Sequence, residues 1–432
     1  MAEAFEKPQG YIPRIVDDQI ERYLKIFGAI EIAGTKWCGK TWTALQHGAS
    51  VSYVDKQLGL AKADPSMMLL GDRPHVIDEW QRVPSIWDET RHDIDRVRGT
   101  RGAFILTGSA TPHSDENMPA HSGAGRIGRI HMHPMTLSES GESTGQVSLS
   151  GLFEGKFQPC LVEKDTPGLV AAACRGGWPE ALDLDAESAQ LIAQEYLRAA
   201  FAISIPALGL DGDIARRLVA SIARNLGQSA TYKTLATDMF GAEESPQALI
   251  DENKIREYLN ALKSMYLVEE VPGWAPPARS KKRFTIKPKR YLADPSLAVA
   301  ALGMSPEQLL FDWQTFGLVF ESLVMRDLCV YARSLSQLDT VPIRYYRDDA
   351  GLEADAIIQL ADGRWAAFEI KVSEDKVPEG IRSLKRLRAK LCDNERARTR
   401  EPAFMAVITG NGEYARQAED GIYAIPIRAL GR

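Results

Sequence analysis

Four short apolar runs, 29–33, 50–54, 75–77 and 103–106, punctuate the first part of the chain, with helix-like segments and turns between them. Short, mainly apolar runs of this kind read as buried strands. Their alternation with helical spacing predicts βα units and a mostly parallel sheet. Each run ends in polar residues, at the edge where an open α/β sheet places its ligand. Farther along, 186–201 has helical spacing, and three amphipathic segments follow at 214–226, 229–239 and 251–265. Asp251 is a fitting N-cap for the third, with acids in its first turn. Residues 267–271 then lead to a Pro/Gly-containing turn, and 283–286 and 290–293 form a possible strand pair. From about 311 the pattern changes again: a long amphipathic helix over 316–335, then strands at 341–347, 353–358 and 365–371. A helix carrying Ile381, Leu384, Leu387 and Leu391 and a strand at 403–408 complete it.

The first apolar run opens into Gly34-Thr35-Lys36-Trp37-Cys38-Gly39-Lys40-Thr41, which fits G-x-x-x-x-G-K-[ST]. The glycines let the backbone turn tightly and aim its N–H groups at phosphate oxygens. Lys40 would reach the β/γ-phosphates, and the Thr41 hydroxyl would sit on Mg²⁺. Residues 42–47 would form the helix whose N-terminus faces the anion. The third run ends in Asp78-Glu79-Trp80-Gln81, an acidic pair in the Walker B position. Asp78 would hold the Mg²⁺ ion, directly or through water, and Glu79 would orient and deprotonate the attacking water. The fourth ends in Thr107-Gly108-Ser109-Ala110, where Thr107 or Ser109 would sense the γ-phosphate or simply lead the strand into a turn. Arg126 and Arg129 lie among glycines in 122–129, read as a loop. Either would neutralise transition-state charge, in its own chain or a neighbouring subunit, or be a solvated loop arginine. Cys38 reads as a packing residue. His131 and His133 would place two imidazoles on one strand face, but no Cys or Glu cluster completes a metal site nearby, so the segment reads as a surface strand.

Tyr11-Ile12-Pro13-Arg14, the P-loop, Ile77-Asp78-Glu79-Trp80-Gln81, Leu106-Thr107-Gly108-Ser109 and Gly176-Gly177-Trp178-Pro179 together resemble the prokaryotic ATPases related to the archaeal-type clade of the AAA+ group. The resemblance implies ATP binding, a helical segment after the core and a homo-oligomer. It implies no particular substrate.

The three amphipathic segments and the strand pair after them, 214–293, read as a winged helix. Arg279, Lys281, Lys282, Arg283, Lys287, Lys289 and Arg290 cluster without an acid among them. A wing with that charge would touch DNA phosphates non-specifically, or be a solvated hairpin; winged helices also bind protein. In the last segment the order is a helix with Glu321, a strand with Asp355, then Glu369-Ile370-Lys371. It resembles the PD-(D/E)xK nuclease superfamily, with Ala354 where the pattern has proline. Glu369 and Lys371 are two apart and so share one strand face. Asp355 and Glu369 would converge on Mg²⁺, Glu321 would add a carboxylate, and Lys371 would orient water. The same fold also persists as a non-cleaving module whose charges form a salt-bridged pocket. The nearby Arg382, Lys385, Arg386, Arg388 and Lys390 would track a phosphate backbone or line a solvated helix face.

The 432 residues exceed one compact core, and the net charge of −6 excludes a globally polybasic nucleic-acid binder. Five scattered cysteines without a CxxC pair fit reduced thiols and a cytoplasmic location. No apolar run has membrane length, and the N-terminus lacks the build of a signal peptide. The expected architecture is α/β: a P-loop ATPase core at 1–150, a helical lid at 151–210, a winged helix at 211–300 and a restriction-endonuclease-like domain at 301–432. The expected function is a Mg²⁺-dependent ATPase coupled to DNA or a protein partner. The alternatives are a metal-dependent nuclease controlled by ATP and a nucleotide-switched interaction protein with an inactive nuclease-like domain.

Overall fold

The structure, a computed structural model, describes residues 5–110, 122–240, 251–276, 286–335, 341–393, 399–419 and 421–432. The chain divides into two compact units. The first comprises Met1–Pro134, Trp178–Glu180 and Asn260–Leu267; the second comprises Met135–Gly177, Ala181–Leu259 and Val268–Arg432. Among the described residues no helix is long and apolar enough to cross a membrane.

The first unit is built on five strands: β1 Ala29–Ala33, β2 Ser50–Tyr53, β3 His75–Asp78, β4 Phe104–Gly108 and β5 Ile127–His131. They lie in the order β2-β3-β4-β1-β5, and every pairing is parallel. All residues of β1, β3 and β4 are buried, as continuous apolar runs require when helices cover both faces. Alternate positions serve opposite faces. Ile30, Ile32, Val76 and Ile105 pack with Ile20 and Ala44 on one side. Ala29, Ile77, Phe104 and Leu106 pack with Trp80, Ile86 and Trp87 on the other. Because β4 lies between β1 and β3, its C-terminal end is flanked by the ends that carry the P-loop and Asp78. One expectation is corrected here: 122–129 is only partly loop, since Arg129 lies within β5, a strand paired to β1 along its whole length.

In the second unit two-residue strands β6 Val147–Ser148 and β7 Cys160–Leu161 precede helices Thr166–Arg175, Ala186–Ala199, Gly212–Arg224 and Tyr232–Phe240. Strands β8 Val268–Val271 and β9 Lys289–Leu292 pair antiparallel. After the long helix Trp313–Leu335 come β10 Arg344–Arg347, β11 Glu353–Gln359, β12 Trp365–Lys371, β13 Phe404–Thr409, β14 Tyr414–Glu419, β15 Ile422–Pro426 and β16 Leu430–Gly431. A mixed seven-stranded sheet runs β10-β11-β12-β13-β15-β14-β7. The helix Val377–Cys392 joins the parallel pair β12 and β13. Its Ile381, Leu384, Leu387 and Leu391 pack against Ile357, Ala367, Met405 and Val407. A buried Arg326 donates to Asp327 and to Asp294, and these carboxylates also accept the backbone N–H groups of Leu137 and Gly177. An interior cation survives because two opposite charges surround it.

The charged wing is also revised. Arg279, Lys281, Lys282 and Arg283 lie outside the described residues, as does most of the expected strand at 283–286. Lys289 and Arg290, read as surface charges, are buried. Arg290 donates to Glu270 and to the Ala230 carbonyl. Lys289 belongs to the pocket described below.

Candidate functional site

The P-loop leaves β1 at Gly34, where the backbone runs so close to the next chain segment that a Cβ would stand 2.1 Å from the Met132 carbonyl oxygen. Gly39, at φ 98°, takes the left-handed conformation and caps the helix Lys40–His47. Cys38 is buried with its Sγ against the Met132 carbonyl, as a packing residue. Lys36 and Trp37 are exposed, and Thr35 is buried. Arg14 is buried and donates to the carbonyls of Cys38 and His133, tying the loop to the chain beyond β5.

Lys40 is 5% exposed, and its ammonium donates to the Thr35 carbonyl at 2.7 Å, inside its own loop. A phosphate oxygen outcompetes a neutral carbonyl for this ammonium, because it adds the attraction of an opposite charge. The Thr41 hydroxyl donates to Asp78 Oδ1 at 2.8 Å, and the Thr107 hydroxyl donates to the same oxygen at 2.6 Å. Burial pushes the Asp78 carboxyl above the usual carboxylate range, against the pull of those two bonds. One hydroxyl and one carboxylate, both hard oxygen donors, meet at the loop's end. This set fits Mg²⁺, which is ordinarily held by one or two protein oxygens plus water and phosphate.

Glu79 follows in the left-handed region at φ 59° and ψ 42°. Its N–H donates to Thr107 Oγ1 at 3.2 Å. Its carboxylate Oε2 accepts from Gln81 Nε2 at 2.5 Å and from Ser109 Oγ at 3.1 Å. Thr107 and Ser109 are thus tied to the acidic pair. The arginines are elsewhere. Arg126 precedes β5, at the end of the strands opposite the P-loop, and pairs with Asp95 at 2.9 Å. Arg129 pairs with Glu31 in mid-strand at 2.9 Å and lies over the Trp87 ring. Neither sits at the P-loop of its own chain, because parallel pairing carries the entry of β5 away from the exit of β1. Glu31 also accepts from the Trp80 indole at 3.1 Å, and burial raises its pKa.

The second unit gathers a separate charged pocket. Lys289 Nζ lies 2.7 Å from Glu353, 3.2 Å from Glu321 and 3.6 Å from Asp355. Tyr291 donates to Glu321 at 2.6 Å. Glu369 pairs with Lys371 at 2.9 Å and accepts from Ser383 at 2.7 Å, while Asp355 accepts the Ile370 N–H at 2.8 Å. Burial, then the Asp355 charge, pushes both Glu321 and Glu369 up to about 7, against the neighbouring lysines. All four residues expected from the sequence are in this pocket. The Lys289 ammonium stands among Glu321, Glu353 and Asp355, while Glu369 is paired with Lys371. The sequence reading missed Lys289, Tyr291 and Glu353. The signal was available: Glu353 and Asp355, and likewise Lys289 and Tyr291, are two apart and share a strand face.

Residues 27–141 match a family described as an AAA domain. Residues 167–308 match a domain of unknown function (DUF8612), and 316–430 match another (DUF4143). Among solved structures, a Walker-type ATPase of Pyrococcus abyssi aligns at 13% identity over 70% of this chain and 98% of that chain, with a TM-score of 0.42. AMPPCP-bound DnaA from Aquifex aeolicus aligns at 14% identity over 57% of this chain and 86% of that one, with a TM-score of 0.22. A DNA replication initiation factor aligns at 11% identity over 58% and 90%, with a TM-score of 0.27. No curated protein sequence matches the chain.

Proposed function

We propose, with an AAA-type P-loop domain at 27–141 as the premise, that this protein is a Mg²⁺-dependent ATPase. The observation that carries the reading is the Thr41–Asp78–Thr107 chain of hydrogen bonds, which joins the end of the P-loop to the end of β3. Lys40 exchanges the Thr35 carbonyl for phosphate oxygens. Thr41 and Asp78 hold Mg²⁺, which supplies charge neutralisation on the β- and γ-phosphates when bound. Glu79 orients the attacking water and takes its proton. Lys40→Ala should abolish ATP binding, measured by calorimetry. Glu79→Gln should bind ATP and lose turnover; normal hydrolysis by that variant would refute its assigned role. Turnover measured with and without a panel of DNA and RNA structures tests whether nucleic acid is the coupled partner.

For 316–430 the reading favoured by Lys289 is a non-cleaving module whose carboxylates form a salt-bridged pocket. A divalent ion would have to displace an ammonium already held by three carboxylates. The protein incubated with Mn²⁺ should leave branched, single-stranded and duplex DNA intact. Cleavage that disappears in Asp355→Ala would overturn this reading and restore the nuclease.

A further inference from the structure

We propose that Gln81 is a positioning residue for the ATPase reaction, one that sets the Glu79 carboxylate in its working orientation. The inference rests on the ATPase reading above and adds a role for a residue beyond the acidic pair.

Glu79 has three side-chain torsions, so a fixed carboxylate needs outside donors. Two are present, and both engage Oε2: Gln81 Nε2 and Ser109 Oγ. These donors also approach each other, at 3.4 Å, so the three groups form a closed triangle. Gln81 is itself held. It lies in the one-turn 3₁₀ segment Trp80–Arg82, pinned by Arg82 N–H on the Glu79 carbonyl and Val83 N–H on the Trp80 carbonyl. Trp80 is fully buried, and its indole is anchored on Glu31. Gly108 leaves room for this turn: a Cβ there would lie 3.1 Å from both Gln81 Oε1 and Trp80 Nε1.

The other end of the amide supplies the decisive detail. Gln81 Oε1 is buried and has no hydrogen-bond partner among the described residues. An unpaired buried acceptor is unfavourable, so packing alone does not select this orientation. Turning the amide over would set its oxygen against the Glu79 carboxylate and remove the donor. The orientation therefore follows the needs of Glu79. No hydrogen bond links Gln81 to the P-loop among the described contacts, so its effect belongs to the chemical step and not to nucleotide binding.

The test uses the full chain. Gln81→Leu keeps the side chain's size and removes the donor. A carboxylate displaced by about 1 Å should lower kcat by about 10- to 100-fold. Affinity for a non-hydrolysable ATP analogue should stay within about twofold, because the P-loop amides that bind it are untouched. In a Glu79→Gln background, Gln81→Leu should change the residual turnover little, since there is no carboxylate to orient. Ser109→Ala, which removes the weaker donor, should show the same pattern with a smaller loss, and it serves if Gln81→Leu does not fold. Wild-type kcat in both variants, or a full additional loss in the Glu79→Gln background, would overturn the proposal. Failure of the ATPase reading would look different: no ATP binding by the wild type, or normal turnover by Glu79→Gln alone.

Discussion

Lys289→Met removes one charge from the pocket of the second unit and leaves a side chain of similar length. Lys289 is 3% exposed and stands among Glu353, Glu321 and Asp355. Removing one partner of a buried ion pair costs about 3–5 kcal/mol, because the remaining charge stays desolvated. The cost must depend on pH. Glu321 already titrates near about 7, above the ordinary 4.5, and Lys289 is one of the groups that hold it down. Without Lys289 its pKa rises further. A carboxyl whose folded pKa exceeds its unfolded one favours the fold at low pH, and that contribution is lost as pH rises through the folded value. The penalty should therefore be larger at about pH 9 than at about pH 6, where Glu321 is protonated with or without Lys289 and its share of the loss is gone. Amide hydrogen exchange in the peptide covering β12 reads this locally, without assuming that the whole chain unfolds in one step. Faster exchange at the higher pH, after correction for the intrinsic rate, with partial recovery at the lower, is the expected result. An equal penalty at both values, or none at either, would refute the assignment of Lys289 as the pocket's counter-ion.

Two further outcomes concern the P-loop unit. Thr107→Val preserves shape but removes the donor to Asp78 and the acceptor of Glu79 N–H. It should lower stability by about 2–4 kcal/mol and raise the Mg²⁺ concentration needed for half-maximal turnover; unchanged stability and Mg²⁺ dependence would exclude the bridging role, and Thr107→Ser should recover both. Gly34→Ala would place a methyl 2.1 Å from the Met132 carbonyl oxygen, backbone that cannot yield as a side-chain tip would. Calorimetry should show ATP affinity reduced by at least about tenfold, as expected when the amides no longer converge on phosphate; wild-type affinity would mean the loop opens before it binds.

Much of the P-loop unit was legible in the sequence because its information is local. Buried parallel strands are nearly continuous apolar runs, so β1 and β4 stand out, and the loop's lysine and threonine follow its glycines within one turn. Polar or edge segments were less legible. β14 is buried only at Ala415 and carries few apolar residues, and β5 sits among glycines that suggest a loop. The basic run near 290 looked like a solvated wing because charge runs usually are, yet Lys289 and Arg290 turn inward.

The sequence by itself determined which chemical groups are adjacent along the chain: loop amides with Lys40 and Thr41, Asp78 with Glu79, and Glu369 with Lys371. Helix and strand periods fix those neighbours without reference to anything distant. Only the tertiary structure decided that β4 separates β1 from β3 and so brings Thr107 onto Asp78 and Ser109 onto Glu79. It alone carried Arg126 to the end of the strands away from the P-loop and Lys289 into a pocket of carboxylates. Strand order and the partners of buried charges depend on pairings between remote segments, and no local periodicity encodes them.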